Sequence, residues 1–347
     1  MSNQTLHKIL FENSSKMNSI KNCSVDLIVT SPPYPMIQMW DIVFEKQNKK
    51  IKEELKKGKG KNSFELMHKE LDKTWKECFR VLKEGGIACI NIGDATRSIN
   101  KEFSLYSNHS RILNYCIKIG FNVLPSIIWR KQTNSPNKFM GSGMLPVGAY
   151  ITLEHEHILI LRKGKRRIFN NDNIKNKRQE SSFFWEERNV WFSDIWQDIK
   201  GVKQKLSNKK LRERSAAFPI NIAYRLINMY SLKGDTVLDP FLGTGTTSLA
   251  SAISERNSIG VEIDKNFKNN IIEFFNSAKK ISTDTINQRL ENHNNFILKR
   301  KKSNKPIKYL NKNLNLNVMT KNETNIKFNK IDKIENNKNE FIVYYDN

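Results

Sequence analysis

The sequence predicts an α/β fold with a doubly wound, mostly parallel sheet that is interrupted by one inserted region. Short apolar runs end in turn residues and alternate with longer helical segments, as parallel strands joined by helices do. The alternation stops over residues 162–214 and resumes at Pro219. With 347 residues, 38% of them hydrophobic, the chain is long enough for one large core and an added module.

The first half of the chain supplies strands and helices in alternation. Residues 25–30 are apolar and are followed by Ser-Pro-Pro, which predicts a buried strand and then a loop that cannot be helical. Gly85 and Gly86 end the predicted helix over residues 63–82. The same reasoning predicts a Lys-rich helical stretch to about residue 60, strands at 87–92, 121–129 and 157–161, and a helix at 107–119.

Residues 162–214 combine positive charge with aromatic side chains. Sixteen Lys or Arg stand against seven acids, and the segment holds three of the six Trp. Its interleaved aromatic residues are Phe169, Phe183, Phe184, Trp185, Trp191, Phe192 and Trp196. This mixture predicts a nucleic-acid surface with a small core of its own, with Arg166, Arg167 and Arg178 as DNA-binding residues. A surface insertion without a binding role is the alternative.

The second half returns to the alternating pattern. It predicts a helix to about residue 231, a strand at 236–239, a glycine loop with a helix at 243–254, a strand at 258–262 and a long helix ending near 294. Residues 296–347 contain twelve Asn, and twelve Lys or Arg against five acids, which predicts a loosely ordered basic extension with a last strand at 341–345. The chain is therefore expected to divide into four segments. They are the two halves of the α/β domain at residues 1–161 and 215–295, the inserted basic aromatic region at 162–214 and the basic extension at 296–347.

The overall charge indicates a polyanionic partner. There are 59 Lys and Arg against 35 Asp and Glu, a net charge of +24. Nucleic acid is the expected partner, and a merely basic surface in a Lys-rich proteome is the alternative. No 18-residue apolar run and no signal peptide are present, so no membrane association is expected.

Cysteine and histidine usage excludes metal and disulfide frameworks at this stage. No CxxC pair occurs, and the four cysteines stand among apolar or helical neighbours: Cys23, Cys78, Cys89 and Cys116. We therefore expect a reduced, cytoplasmic protein associated with the nucleoid. His155 and His157 would share one face of a strand, but the sequence offers no third ligand beside them, and no metal is expected.

A glycine-containing segment predicts a cofactor site. Residues 239–247 read Asp-Pro-Phe-Leu-Gly-Thr-Gly-Thr-Thr and directly follow a predicted strand. Gly243 and Gly245 allow a sharp bend and a close approach of the backbone to a ligand. Asp239 suits an amino-acid ammonium group, and Glu262, at the end of the next strand, suits the two hydroxyls of a ribose.

Two other cofactor classes fit this segment poorly. The GxGxxG spacing of nicotinamide enzymes is missing because position 248 is Ser, and the Walker sequence of nucleotide hydrolases is also missing. The leading acid would moreover repel a pyrophosphate. The segment, together with the loop described next, favours S-adenosylmethionine.

A second loop predicts a site for a base amine. Ser31-Pro32-Pro33-Tyr34 follows the first predicted strand, and its two prolines remove two backbone donors, so that the loop presents carbonyl oxygens. A flipped base could stack on Tyr34 while its amine donates to Ser31 Oγ and the Pro32 carbonyl. Such bonds would favour a pyramidal nitrogen whose lone pair attacks a methyl group in line, without a covalent enzyme intermediate.

These two motifs, in this order, resemble the amino-methylating DNA methyltransferases of restriction–modification systems in their permuted β arrangement. Ser31 to Tyr34 match the family's catalytic motif, and the cofactor motif is matched by Asp239, Pro240, Phe241, Gly243, Gly245 and Thr246. Glu262 matches its ribose-binding acid, and Phe218 and Pro219 match the motif that opens the cofactor half. The resemblance implies a Rossmann-like S-adenosylmethionine-dependent methyltransferase fold, with residues 162–214 and part of 131–154 as the target-recognition region.

The resemblance also bears on the methylated base. Ser-Pro-Pro-Tyr resembles the cytosine-N4 members, whereas adenine-N6 members more often carry Asp-Pro-Pro-Tyr, so N6-adenine is the alternative product. Cytosine-C5 methylation is excluded because it needs a nucleophilic Cys after Pro, and none of the nine prolines precedes a Cys. A cognate restriction endonuclease is implied as a possible partner.

Some alternatives stay open at this stage. Related Pro-Pro-Tyr loops serve RNA and protein amide methyltransferases, and a catalytically dead DNA-binding relative is a further possibility. The chain also departs from the family where members often carry Gly-Asp near the N-terminus, since it reads Phe11-Glu12-Asn13-Ser14 there. Cofactor contacts from that loop therefore cannot be carried over.

Overall fold

A twisted ten-stranded sheet forms the centre of the molecule. The computed structural model describes residues 3–131, 140–201 and 218–346. The ten strands of this sheet are β1 Gln4–Leu10, β2 Val25–Thr30, β3 Leu82–Ile92, β6 Phe121–Arg130, β9 His155–Lys163, β10 Ile195–Trp196, β11 Thr236–Asp239, β12 Asn257–Val261, β15 Ile331–Asn337 and β16 Glu340–Tyr345. Their spatial order is β10-β6-β9-β3-β2-β11-β12-β1-β16-β15.

Five neighbouring strands of the sheet, β3, β2, β11, β12 and β1, run parallel. β9 is antiparallel to both of its neighbours, β3 and β6, and β16 is antiparallel to both β1 and β15. The parallel strands therefore share a carboxyl edge, where all five end, and an amino edge, where all five begin. Because β9 runs the other way, its first residues lie at the carboxyl edge.

Helices cover both faces of the sheet. They are α1 Asp41–Gln47, α2 Lys49–Lys56, α3 Gly60–Val81, α4 Asn108–Lys118, α5 Asp172–Glu180, α6 Trp185–Trp191, α7 Ile220–Tyr230, α8 Thr246–Ile253, α9 Lys268–Asn276 and α10 Ala278–Lys302. Short 3-10 turns lie at Gln38–Trp40, Lys265–Phe267 and Lys321–Glu323. No helix among the described ranges is long and apolar enough to cross a membrane.

Three small two-stranded sheets lie outside the main sheet. They pair β4 Ala95–Ile99 with β5 Glu102–Tyr106, β7 Met140–Gly141 with β8 Ala149–Tyr150, and β13 Tyr309–Asn311 with β14 Leu316–Val318.

The strand alternation divides the core into two layers. Leu27 and Val29 of β2 face a cluster that includes Leu249 of α8, whereas Ile28 of the same strand faces a cluster that includes Trp75 of α3. Every residue of β2 is buried. A strand covered by helices on both faces is apolar throughout, which is why residues 25–30 carry no polar alternation. The predicted α/β, mostly parallel, doubly wound fold is confirmed.

One predicted boundary is displaced. Helix α3 ends at Val81, and β3 begins directly with Leu82, so Gly85 and Gly86 lie inside the strand instead of ending the helix. The register with β2 is irregular here, because Val25 pairs with Leu82 while Leu27 pairs with Ile87. The two glycines therefore lie in a bulge of the strand.

The expectation of a loosely ordered extension after residue 296 is wrong. α10 continues to Lys302, and β16 pairs with β1 in the main sheet, in agreement with the predicted last strand at 341–345. Phe341 is 2% exposed, and its ring stacks on Phe275 of α9 with centroids 4.1 Å apart. Asn-rich composition indicated disorder, but every second residue of β16 is buried, so the strand belongs to the core.

We expect Phe341→Ala to lower the free energy of unfolding by about 3–5 kcal/mol, since it empties a buried aromatic site. Urea unfolding followed by circular dichroism measures this change. Ile342→Ala, on the half-buried face of the same strand, is the matched control and should cost about 1 kcal/mol. Equal stability of the Phe341 variant and the wild type would show that the last strand is no part of the core.

Candidate active site

The two predicted motifs meet at the point where the sheet changes its winding direction. From β2 the chain proceeds to its neighbour β3 on one side, and from β11 it proceeds to β12 on the other. Ser31 follows β2, and Asp239 ends β11. Thr30 Oγ1 donates to Asp239 Oδ1 at 2.6 Å, so the two strand ends are joined directly. In open α/β sheets, ligands bind outside the carboxyl edge at such a switch point.

A cavity of about 720 Å³ opens at this place. Most of the predicted site residues line it: Ser31, Pro32, Pro33, Phe218, Asp239, Pro240, Phe241, Gly243, Thr246 and Glu262. Tyr34, Pro219 and Gly245 are not among the residues that line it. Pro219 precedes α7 and Gly245 precedes α8, so each lies at the start of a helix.

Asp239 is buried and has three hydrogen-bond donors around it. Besides Thr30, Thr247 Oγ1 donates to Oδ2 at 2.7 Å, and the backbone N–H of Phe241 donates to Oδ1 at 3.0 Å. Burial raises the pKa of Asp239 to about 6, against the opposing effect of these bonds. The carboxylate therefore braces both loops as well as contributing charge to the cavity wall.

Glu262 organises the other side of the cavity. Its Oε2 accepts from the backbone N–H of Gly243 at 2.8 Å, and its Oε1 accepts from that of Asp264 at 2.8 Å. Burial raises the pKa of Glu262 above its usual value. Gly243 has φ +53°, and no atom lies within 4 Å of the position that a Cβ would take. The glycine loop therefore leaves open space on its cavity side.

Tyr34 does not form an open stacking surface in this structure. Its side chain is only 7% exposed, and its hydroxyl donates to Glu156 Oε2 at 2.9 Å. Asn91 Nδ2 approaches the same hydroxyl at 3.0 Å, and Ser31 Oγ lies 3.1 Å from it. Polar partners below the loop thus hold the tyrosine in the interior.

Several residues that line the cavity were not predicted. The loop after β1 contributes Glu12, Asn13, Ser14 and Ser15, and the segment before α1 contributes Trp40. The loop residues lie here because β1 is the fifth parallel strand and ends at the same edge. Recognising β1 in the sequence would have identified them; Trp40 has no comparable sequence signal.

The three arginines predicted to bind DNA lie at the amino edge, away from the cavity. Arg167 forms a double hydrogen bond with Asp235, at 2.6 and 3.1 Å, just before β11 begins. Arg178 lies over the Phe169 ring at 4.5 Å, which Arg167 also contacts at 5.4 Å, and Arg166 is the exposed neighbour of Arg167. They therefore do not contribute to the cavity wall, and their predicted binding of DNA stays a prediction.

The predicted separate core of residues 162–214 is also corrected for its described part, residues 162–201, while the rest of the segment lies outside the described residues. Trp191 and Trp196 belong to the main core cluster together with Trp129. Phe184 packs instead against Val318 and Ile326 of the C-terminal segment. The aromatic content of this region therefore reflects packing against the rest of the molecule.

The sequence offers no third ligand beside His155 and His157, but the fold brings two other ligand types close to His157. Donor atoms of His157, His109 and Asp94 lie within 4.8 Å of one another, brought together from three elements. The His109 and His157 rings are stacked with centroids 3.8 Å apart, and His109 Nδ1 lies 2.8 Å from Asp94 Oδ2. Burial and the neighbouring His109 lower the pKa of His157 to about 4. Stacked rings cannot both direct a lone pair in plane at one ion, and this arrangement does not favour a metal centre.

The comparison with known families agrees with the site geometry. The N6/N4 methyltransferase family, described as DNA methylase, matches residues 25–274. The chain belongs to this family. It is a DNA methyltransferase that depends on S-adenosylmethionine.

Relatives extend the match over nearly the whole chain. The chain is 51% identical to Type II methyltransferase M.MthZI of Methanothermobacter thermautotrophicus over 342 residues, 97% of this chain and 95% of the relative. It is 51% identical to M.MjaI of Methanocaldococcus jannaschii over 275 residues, covering 76% and 89% of the two chains. The solved structure of TTHA0409 of Thermus thermophilus, complexed with S-adenosyl-L-methionine, superposes with a TM-score of 0.59 at 30% identity, covering 80% of this chain and 95% of that one.

The residues of the cavity fit the cofactor. Asp239 and Glu262 put carboxylates on the wall, which suits a ligand with a cationic sulfonium, an ammonium group and ribose hydroxyls. Phe218 and Phe241 supply apolar surface for a purine ring. The open space at Gly243 gives room for close backbone contact.

We expect cofactor affinity to fall as the pH drops through about 6. The raised pKa of Asp239 means that acid neutralises this carboxylate near pH 6, and a neutral wall attracts a cation less. Calorimetric titration with S-adenosylmethionine between pH 5.5 and 8 measures the effect. The pH dependence should persist in Glu262→Gln and disappear in Asp239→Asn; its persistence in the Asp239 variant would contradict the assignment.

Gly243→Val should weaken S-adenosylmethionine binding by more than about tenfold, because the new side chain would occupy the cavity and force a left-handed backbone on a β-branched residue. Gly245→Ala is the matched control: its φ of +93° imposes similar strain, but Gly245 does not line the cavity. Comparable losses of affinity in both folded variants would mean that strain, and not the ligand space, explains the result.

Proposed function

We propose that the enzyme methylates the exocyclic N4 amine of cytosine in double-stranded DNA, as the modifying half of a restriction–modification system. Ser31 carries this proposal: its hydroxyl lines the cavity at the head of the Pro-Pro-Tyr loop, where a carboxylate would be typical of adenine enzymes. The Type II names of the relatives support the restriction–modification setting. A cognate endonuclease that cuts the same site is the partner this setting implies.

The loop is suited to bind an amine. Pro32 and Pro33 have no N–H, so the backbone offers acceptors and no competing donors toward the base. Two hydrogen bonds from the amine, to Ser31 Oγ and to the Pro32 carbonyl, would shift electron density from the ring toward the nitrogen lone pair. Because an aromatic amine is a weak nucleophile, this activation and close alignment carry the reaction.

The target base must leave the duplex to reach the Ser31 loop at the cavity wall, so we propose that it is flipped into the cavity. Trp40 lines the same cavity and is the aromatic surface that we assign to the base, in place of the buried face of Tyr34. For the DNA backbone we assign cations of the carboxyl edge: Lys46 lines the cavity, and β6 ends there with Arg130.

We assign cofactor binding to Asp239, Glu262, Phe218, Phe241 and the backbone at Gly243. When bound, S-adenosylmethionine supplies an electrophilic methyl group on a positively charged sulfur. The protein's part is to hold that group and the amine in line, to exclude water with the apolar wall, and to accept the hydrogen bonds of the amine. The joined strand ends at Thr30 and Asp239 keep the two binding regions at a fixed separation.

N4-methylcytosine is the expected product, and mass spectrometry of nucleosides from DNA incubated with the enzyme identifies it directly. DNA incubated with Ser31→Ala is the matched control and should carry little of the modified base, because that variant lacks the hydroxyl acceptor for the amine. N6-methyladenine as the sole product would overturn the choice of base and leave the cofactor assignment intact. Product formation by Ser31→Ala at the wild-type rate would overturn the assignment of the loop.

A further inference from the structure

Glu156 lies beneath the catalytic loop and joins three other segments of the chain. It is the second residue of β9, and its side chain is 12% exposed. Its Oε2 accepts from the Tyr34 hydroxyl at 2.9 Å and from Asn91 Nδ2 at 2.6 Å. Its Oε1 accepts from Lys131 Nζ at 3.1 Å. Neither the family motifs nor the cofactor site accounts for this carboxylate.

The hydrogen bonds around Tyr34 have only one consistent direction. A carboxylate accepts and a phenol has a single proton, so the Tyr34 proton goes to Glu156. The phenolic oxygen then accepts from Asn91 Nδ2 at 3.0 Å. The backbone of Gly93 also hydrogen-bonds to this oxygen. The contact with Ser31 Oγ at 3.1 Å needs a donor as well, and Ser31 must supply it because the Tyr34 proton is already given to Glu156.

The direction of the hydrogen bond between Ser31 and Tyr34 decides whether Ser31 presents an acceptor or a donor to the cavity. With its proton committed to Tyr34, the serine oxygen turns its lone pairs toward a ligand. If Tyr34 instead donated to Ser31, it would occupy one of the two serine lone pairs, and the serine proton would be free to turn toward the cavity, where it would meet the N–H groups of an amine as donor against donor. The direction of this one hydrogen bond thus decides whether Ser31 is held as an acceptor or is free to act as a donor.

We propose that Glu156 is a positioning residue that acts through the Tyr34 hydroxyl to hold Ser31 as a hydrogen-bond acceptor for the amine of the target base. This inference rests on the proposed function, in which the Ser31 loop binds that amine. In this proposal the Tyr34 hydroxyl links Glu156 to Ser31 by hydrogen bonds inside the protein. It also explains why the tyrosine is buried with its hydroxyl inward.

The protonation of Tyr34 supports the geometry. Burial, and next the charge of Glu156, raise the pKa of Tyr34 well above its usual value. The phenol therefore keeps its proton throughout the working range of the enzyme. The relay from Glu156 to Ser31 does not depend on a titration of the tyrosine.

A double-mutant cycle tests the relay. The full-length enzyme and its variants Glu156→Leu, Tyr34→Phe and the combination methylate unmodified bacterial genomic DNA with radiolabelled S-adenosylmethionine in single-turnover reactions. Each single change should lower the rate constant about tenfold, the effect of one oriented hydrogen bond. The combination should be no slower than either single variant, since both break the same relay.

Further variants separate the relay from other effects. Glu156→Gln keeps an acceptor oxygen and should restore part of the rate, with a loss of about threefold. Glu335→Leu is the matched control, because Glu335 lies on β15 at one end of the sheet and pairs with Lys333 outside the relay. It should react at the wild-type rate. Cofactor affinity should stay within about twofold in all variants, which excludes a general collapse of the site.

Different negative results would contradict different parts of the proposal. Multiplying losses in the double variant, or a normal rate for Glu156→Leu beside a slow Tyr34→Phe, would overturn the Glu156 inference alone. Normal rates for both Ser31→Ala and Tyr34→Phe would overturn the proposed function of the loop. If Glu156→Leu does not fold, the cycle of Ser31→Ala with Tyr34→Phe replaces it. Independent, multiplying effects there would equally contradict the relay.

Discussion

The arrangement of the site depends on the buried carboxylate of Asp239. Thr30 binds one of its oxygens and Thr247 the other, so the end of β2, the end of β11 and the start of α8 are held together. A carboxylate away from water is costly unless its oxygens accept hydrogen bonds. Moving any of the three segments would therefore leave this charge without partners. The distance between the catalytic loop and the glycine loop is fixed by that constraint before any ligand binds.

The distribution of charge follows from the two ligands that the enzyme must bind. The chain carries a net charge of +24, yet carboxylates of Asp239, Glu262 and Glu12 line its main cavity. A cationic cofactor is attracted by the acidic interior, while a polyanionic DNA is attracted by the basic exterior. Net charge alone indicates the DNA, and only the local charge of the cavity indicates the cofactor.

The sequence allowed the sheet and most of the cavity wall to be predicted, because these depend on local patterns. Buried strands such as β2 are apolar throughout, and ligand loops follow strand ends, so Ser31 and Asp239 could be brought together without coordinates. β1 was missed because its buried positions include Thr5 and His7, which hydrogen-bond to each other and hide the apolar pattern. The position of the arginines relative to the cavity could not be predicted, because composition does not show which edge of a sheet a segment follows. Arg167 is committed to Asp235, a partner 68 residues away in the chain.

The direction of a hydrogen bond is the property that the Ser-Pro-Pro-Tyr motif cannot specify by itself. Serine and tyrosine hydroxyls both donate and accept, so the four residues are compatible with a loop that accepts from the base and with one that donates to it. Glu156 removes the ambiguity, and it reaches the loop only because β9 runs against its neighbours. An antiparallel strand delivers its first residues to the carboxyl edge, where a parallel strand would deliver its last. The reversal of a single strand in the sheet thereby determines the chemistry that the serine offers at the cavity.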